Sequence, residues 1–210
     1  AFFSLSGKIF VITVGFWFKY FLANNLTEAA YSLGVFALGM TIVEVISPFA
    51  SLGLGGSAAR FIPKWKVERK IGHVSGFIQF STILTLLLSL FFAVLVYWNK
   101  DFVLSYFSQE GSETVVLSAL LPLFLGVMIF KNLTELFIQF LRGFQEIKRS
   151  TIYTSFVGVA FKVGLVVFLV FKDWDLEGYV FGELVGACLV FVILASLLSS
   201  YNKFTFRFQF

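Results

Sequence analysis

The chain has 210 residues, of which 59% are hydrophobic and only 13% are charged. A soluble domain is about half apolar and about a quarter charged, so this composition argues against an ordinary water-soluble protein and predicts an integral membrane protein. The formal net charge of +4 comes from cations that are dispersed between apolar runs, which argues against nucleic acid as a partner because nucleic-acid binding needs a clustered basic patch.

Six apolar stretches follow one another along the chain, and each provides the roughly 20 residues that a helix needs to cross a bilayer. Because the loops between them are short, neighbouring helices must run antiparallel. The sequence therefore predicts an all-α integral membrane fold, a six-helix bundle that occupies residues 1–210. The predicted spans are 2–22, 29–54, 74–98, 115–141, 151–171 and 178–200.

The distribution of Lys and Arg between the loops predicts the orientation. The loop after span two carries five of these residues and the loop after span four carries three, whereas the loops after spans one, three and five carry none, one and one. Cytoplasmic loops are enriched in Lys and Arg. We therefore predict a multi-pass protein of the plasma membrane with both ends of this segment in the cytoplasm.

Two further patterns concern the end of the chain. Gly178, Gly182 and Gly186 recur at every fourth position of span six, a spacing that lets another helix approach closely. Residues 203–210 alternate Phe with polar residues, as in a strand or a segment lying on a surface. Because the chain begins without an initiator Met or a polar leader, we expect it to be a piece of a longer protein.

Residues suited to catalysis or metal binding are scarce. His73 is the only histidine and Cys188 the only cysteine, so neither a metal site built from several histidines nor an intrachain disulfide is expected. The glycine-rich stretch "SLGLGGSAAR" at 51–60 lacks the Gly-Lys-Ser/Thr ending of a phosphate-binding loop and is predicted to be a flexible exit from span two. We expect neither an enzyme nor a bound cofactor or metal.

Five ionisable side chains lie deep within the predicted spans, where a charge costs about 2.5–3.5 kcal/mol on insertion scales. Counting about 1.5 Å per residue places Lys162 at the centre of span five, Glu44 near the centre of span two and Lys131 just inward of the centre of span four. Glu135 lies one turn closer to the cytoplasm, and Lys8 lies in the inner third of span one. These five residues form the candidate site.

Two interpretations of these charges are open. Lys131 and Glu135 share one helix face, so they can neutralise each other as a purely structural pair. Alternatively, the deep charges on different helices line a polar cavity, as intramembrane ionisable groups usually do on a solute path. Glu183 and Lys19 lie nearer the outer surface and are expected to reach water by extending along the helix.

Two stretches resemble a known family. "YSLGVFALGMTIVEVISPFASLGLGGSAARFIPKW" at 31–65 resembles the second helix and following loop of the polysaccharide and O-antigen flippases, which share a superfamily with MATE-type multidrug exporters and lipid II flippases. "LRGFQEIKRSTIYTSFVGVAFKVGLVVFLV" at 141–170 is similar to the family's loop between helices four and five. The matching positions in the first stretch are Gly34, Gly53, Leu54, Ala59, Arg60, Phe61 and Ile62.

The resemblance implies that the chain is the N-terminal lobe of a transporter with two six-helix lobes around a central cavity, so that a C-terminal lobe of the same chain is its partner. It also implies movement of a polyprenyl-pyrophosphate-linked oligosaccharide from the cytoplasmic to the outer leaflet of the lipid bilayer. Lys8, Lys131 and Lys162 would then receive the pyrophosphate. Glu135 would hold Lys131 in position, and Glu44 would be a proton-linked countercharge.

The first alternative is a cation-coupled multidrug antiporter of the MATE type. Such exporters typically carry an acidic residue in helix one, whereas span one here has Lys8 and Lys19 and no Asp or Glu. This difference favours an anionic, lipid-linked substrate. The second alternative is a membrane anchor or assembly subunit that transports nothing, which requires the deep charges to be structural pairs only.

Overall fold

The computed structural model describes residues 2–26, 28–107 and 112–201. Within these residues the secondary structure is helical and contains no strand, and six helices are long and apolar enough to cross a membrane. The predicted all-α fold with six spans is therefore confirmed. The segment 203–210, predicted to be a strand or a surface-lying segment, lies outside the described residues. The six candidate spans are Leu5–Asn25, Ala29–Ser51, Gly72–Trp98, Glu113–Gly143, Ile147–Val170 and Asp175–Ser200.

The described residues form nine α-helices and one π-helical segment, which are joined by short turns. They are α1 (Phe2–Asn25), α2 (Ala29–Ser51), α3 (Leu54–Val67), α4 (Ile71–Trp98), α5 (Lys100–Phe107), α6 (Ser112–Gly143), α7 (Ile147–Thr151), the π segment (Ile152–Gly158), α8 (Val159–Val170) and α9 (Asp175–Tyr201). The fifth span is one continuous helix formed by α7, the π segment and α8.

The prediction of a flexible exit from span two is wrong, because the glycine-rich stretch begins a helix. Leu52 and Gly53 both adopt left-handed backbone angles, with φ of 46° and 66°, and two such residues in succession end α2 and redirect the chain. Helix α3 then forms because Ala58 and Ile62, one turn apart, bury an apolar stripe. A Cβ atom on Gly143 would lie only 2.9 Å from Cβ of Ile62, so glycine at that position lets α3 pack closely on the end of α6.

Helix α6 is the centre of the bundle and packs against α2, α3, α4 and α9. Phe124 is fully buried in a first apolar cluster that joins α6 to α2 and α4, and Phe140 is fully buried in a second that joins α6 to α3, α4 and α9. Gly39 of α2 makes room for the ring of Phe124, with which a Cβ atom would collide. A third cluster, around Leu22 and Val166, holds α1 against α8 and α9.

The glycine stripe of the sixth span contacts α8, as its spacing predicts. Gly178 lies beside Leu169, Gly182 beside Val166 and Gly186 beside Lys162. From one contact to the next, the residue number rises by four on α9 and falls by three or four on α8. This is the pattern of an antiparallel hairpin. The hairpin places the side chain of Lys162 across the backbone of α9.

Candidate functional site

A cavity of about 250 Å³ lies between α6, the π segment, α8 and α9, with one residue of α2 at its edge. Most of its wall is apolar, but α6, α8 and α9 each contribute a charged side chain: Lys131, Lys162 and Glu183. The two threonines in its wall, Thr134 and Thr154, differ in their bonding. The Thr154 hydroxyl donates to the Ser150 carbonyl at 2.8 Å, whereas the buried Thr134 hydroxyl has no partner among the described residues.

Lys131 pairs with Glu44 of α2 and not with Glu135. Its ammonium donates to Oε1 of Glu44 over 3.4 Å, and the side chains remain 44% and 66% exposed, respectively. Glu44 and Lys131 lie at similar depths in their spans, and Glu135 lies one turn from Lys131 on the same helix. The packing of α2 on α6 brings Glu44, and not Glu135, beside the Lys131 ammonium. The expectation that Glu135 holds Lys131 in position is therefore wrong in this structure.

Glu135 is bonded instead to Gln139, whose amide donates to its Oε1 at 2.8 Å. Lys131, Glu135 and Gln139 recur at every fourth position, so they form one polar row along α6. Glu135 is exposed and, unlike Lys131, does not line the cavity.

Lys162 of α8 pairs with Glu183 of α9. The ammonium lies 3.1 Å from Oε2 and 3.3 Å from Oε1 of the carboxylate, and the side chains are 31% and 16% exposed. Glu183 is the more buried of the two carboxylates that hold lysines here. A Cβ atom on Gly186 would lie 3.1 Å from Cβ and Cγ of Lys162, so the absence of a side chain at this position leaves the path that the lysine stem follows.

The sequence predicts that Glu183 extends along its helix to reach water, whereas in the structure its carboxylate turns to Lys162 and forms part of the cavity wall. Glu183 lies eight residues into α9, which is about 12 Å along a helix. One signal for the pair is present in the sequence. Lys162 lies ten residues before Lys172 and Glu183 ten residues after Asp173, so the two are equidistant from the turn of an antiparallel hairpin.

Lys8 is not brought to this cavity. It is exposed on α1, and it makes no hydrogen bond or ion pair with the described residues. The neighbouring Gly7 faces the fifth span, where a Cβ atom would lie 2.7 Å from Cγ2 of Thr151. The structure therefore unites Lys131 and Lys162 at one cavity, links Glu44 to it through Lys131, and leaves Glu135 and Lys8 on exposed faces.

Groups of His, Cys, Asp and Glu residues with the geometry of a metal site are absent from the described residues. The charged groups of the cavity wall are two ammonium groups and one carboxylate, and a second carboxylate, that of Glu44, pairs with Lys131 from outside the wall. Such an arrangement can bind a charged or hydrogen-bonding solute by exchanging partners.

Comparison with known proteins places the chain in a family. A search among curated proteins gave no significant match. The model of the MatE family matches residues 5–167. The match runs from α1 into α8, so it includes all five residues of the predicted site and ends before Glu183. The chain belongs to the MATE family of membrane transporters.

Proposed function

We propose that this MATE-family chain is one lobe of a flippase that moves a polyprenyl-pyrophosphate-linked oligosaccharide from the cytoplasmic to the outer leaflet. The observation that carries the proposal is that two lysines from separate candidate membrane spans, Lys131 and Lys162, line one cavity. A pyrophosphate is a compact anion, and ammonium groups on flexible stems can follow it as point charges. A lysine at this depth that faced lipid would cost about 2.5–3.5 kcal/mol.

The proposal also includes the surroundings of this lobe. The C-terminal lobe of the same chain would close the central cavity. The protein would lie in the plasma membrane, with the basic loops after the second and fourth spans in the cytoplasm. Transport needs no covalent chemistry, so the chain is proposed to be a transporter without enzymatic activity. Membership in a transporter family favours this over an anchor that carries no cargo.

A second candidate function is a cation-coupled multidrug antiporter. It is favoured by Glu44 and Glu183, two carboxylates inside the spans, because intramembrane carboxylates are the usual groups of proton relays. Against it, α1 carries Lys8 and Lys19 but no Asp or Glu.

Complementation of glycan export by the full-length protein tests the proposal. Lys131→Leu and Lys162→Leu should each reduce export strongly at normal membrane abundance, and Lys162→Arg should retain part of it because the charge remains. Lys19→Leu is the matched control, since this exposed lysine of α1 lies outside the cavity wall, and it should export normally.

Two results would contradict the proposal. Normal export by both cavity variants would mean that the lysines serve only the fold. Failure of the wild-type protein to restore glycan export, together with efflux of a cationic dye that is lost in Glu183→Gln, would support the antiporter instead. Membrane abundance measured by immunoblot separates each result from failure to fold.

A further inference from the structure

The lysines of the cavity are already bound before any substrate is considered. Lys131 is held by Glu44 and Lys162 by Glu183, so these four side chains have a formal net charge of zero. An anion that enters the cavity therefore meets no free ammonium group on α6 or α8. It must take each lysine from a carboxylate of the protein.

The two carboxylates are not equivalent. Glu44 contacts its lysine through one oxygen at 3.4 Å, is 66% exposed, and does not line the cavity. Glu183 contacts Lys162 through both oxygens, at 3.1 and 3.3 Å, is 16% exposed, and forms part of the cavity wall. Because the Glu183 pair is the more enclosed and has two close N–O contacts instead of one, its Coulomb attraction is stronger, so Glu183 is the stronger competitor for a lysine.

The geometry around Gly186 makes an exchange of partners feasible. The stem of Lys162 crosses α9 at Gly186, where no side chain blocks it. A lysine side chain is a flexible four-carbon chain that ends in three equivalent N–H donors. The ammonium can therefore turn from Glu183 towards the cavity without a movement of either helix.

We propose that Glu183 is a built-in competitor of the substrate: its carboxylate holds Lys162 until a phosphate oxygen of the cargo takes its place. This inference rests on the proposed function, in which the cargo carries a pyrophosphate. The displaced carboxylate stays in the cavity wall beside the bound phosphate. Because like charges at close range repel, Glu183 also favours release of the cargo, after which Lys162 returns to it.

If Glu183 competes with the substrate, removal of its negative charge should strengthen pyrophosphate binding and reduce glycan export. In Glu183→Gln the amide has the same shape but no charge, so Lys162 is freed for the phosphate. Binding of inorganic pyrophosphate should become about tenfold tighter, whereas Lys162→Gln should weaken it about tenfold or more, as expected for loss of a close charge pair. Glycan export by Glu183→Gln should fall, because the cargo is released more slowly.

Isothermal titration of inorganic pyrophosphate into the full-length transporter in lipid nanodiscs measures the affinity. Glu177→Gln is the matched control, because Glu177 is an exposed residue of the same helix that lines a different pocket. The pyrophosphate affinity of this variant should equal that of the wild type. If Glu183→Gln does not reach the membrane, Glu183→Asp takes its place. The shorter side chain retracts the carboxylate, so affinity should rise by a smaller factor.

Unchanged or weaker pyrophosphate binding in a folded Glu183→Gln or Glu183→Asp protein would overturn the competitor. Failure of the proposed function gives a different pattern: the wild type and Lys162→Gln would then bind pyrophosphate equally weakly, and the wild type would not restore glycan export. If Lys162→Gln loses binding while Glu183→Gln gains none, the flippase proposal stands and only the competitor is rejected.

Discussion

At the scale of single residues, Lys131 and Lys162 belong to ion pairs of unequal exposure. The pair of Lys131 with Glu44 is largely open to its surroundings, while the pair of Lys162 with Glu183 is mostly enclosed. In the proposed transporter the Lys131 pair faces the water-filled central cavity, and ion pairs that are exposed to water contribute about 0–1 kcal/mol to stability. Breaking an enclosed pair by removing one partner costs more, up to about 3–5 kcal/mol where burial is complete, because an unpaired charge remains.

We therefore expect Lys162→Leu to destabilise the protein by more than about 1 kcal/mol and Lys131→Leu by about 1 kcal/mol or less. The double change Glu44→Leu with Lys131→Leu should be nearly neutral or stabilising, since it leaves no charge unpaired. Thermal unfolding of the purified full-length protein in detergent measures these effects, with Lys19→Leu as control. Equal losses in the two single variants would mean that burial does not decide the strength of these pairs.

At the scale of helices, close packing of α8 on α9 holds the lysine and the carboxylate together. Gly182 is the tightest of the three contacts, because a Cβ atom there would collide with Val166. Both helices are parts of apolar spans, so their association depends on shape and not on the hydrophobic effect. The glycine stripe thus sets the distance at which Lys162 can meet Glu183.

Gly182→Ala should destabilise the protein by about 1–3 kcal/mol, the usual cost of an additional methyl group in a packed interior. Gly164→Ala is the control within the same hairpin, because a Cβ atom at that position has nothing within 4 Å. It should be neutral, or stabilising by up to about 1 kcal/mol, since alanine favours a helix more than glycine does. The measurement is the midpoint of thermal unfolding, and a loss in the control as large as in Gly182→Ala would refute the packing argument.

At the scale of the whole molecule, the basic loops predict which side of the membrane each helix end faces. In the full-length protein with Cys188→Ala, we expect single cysteines at Asn25, Ser108 and Asp175 to react with an impermeant maleimide from outside. A cysteine at Val67, which is 84% exposed at the end of α3, should react only after the cells are opened. Reaction of Val67 in intact cells would reverse the orientation, and buried Ala50 provides a negative control.

Composition and span length were enough to predict the six spans, because crossing a bilayer imposes a length and an apolar surface on each helix. The partners of Lys131 and Glu183 could not be read in the same way. Counting depth along one span ignores the neighbouring helix, and it is the packing of α2 on α6 and of α8 on α9 that selects the partner. Helix α3 was missed because its glycines suggested a loop, while the stripe of Ala58 and Ile62 stabilises a helix there.

The π segment has a consequence for the way in which one span serves two neighbours. Towards the start of the fifth span, Thr151 and Ser155 contact Gly7 of α1, and after the π segment Lys162 contacts Gly186 of α9. A π-helix has i→i+5 hydrogen bonds and therefore accommodates an extra residue relative to an α-helix. Each residue of an α-helix turns the chain by about 100°, so the extra residue changes the angular phase between these two contacts.

Removing that residue should uncouple the two faces of the span. In the parent protein, the cysteine pairs Gly7→Cys with Ser155→Cys and Lys162→Cys with Gly186→Cys should each form a disulfide under mild oxidation, because a Cβ atom on Gly7 would lie 3.3 Å from Cβ of Ser155 and one on Gly186 would lie 3.1 Å from Cβ of Lys162. Deletion of the exposed Val157 from the π segment should preserve one crosslink and abolish the other, whereas Val157→Ala should preserve both. If both crosslinks still form in the deletion variant, the extra residue does not set the angle about the helix axis between the two contacts. If the prediction holds, one extra residue in the π segment allows the fifth span to pack correctly against α1 and α9 at the same time.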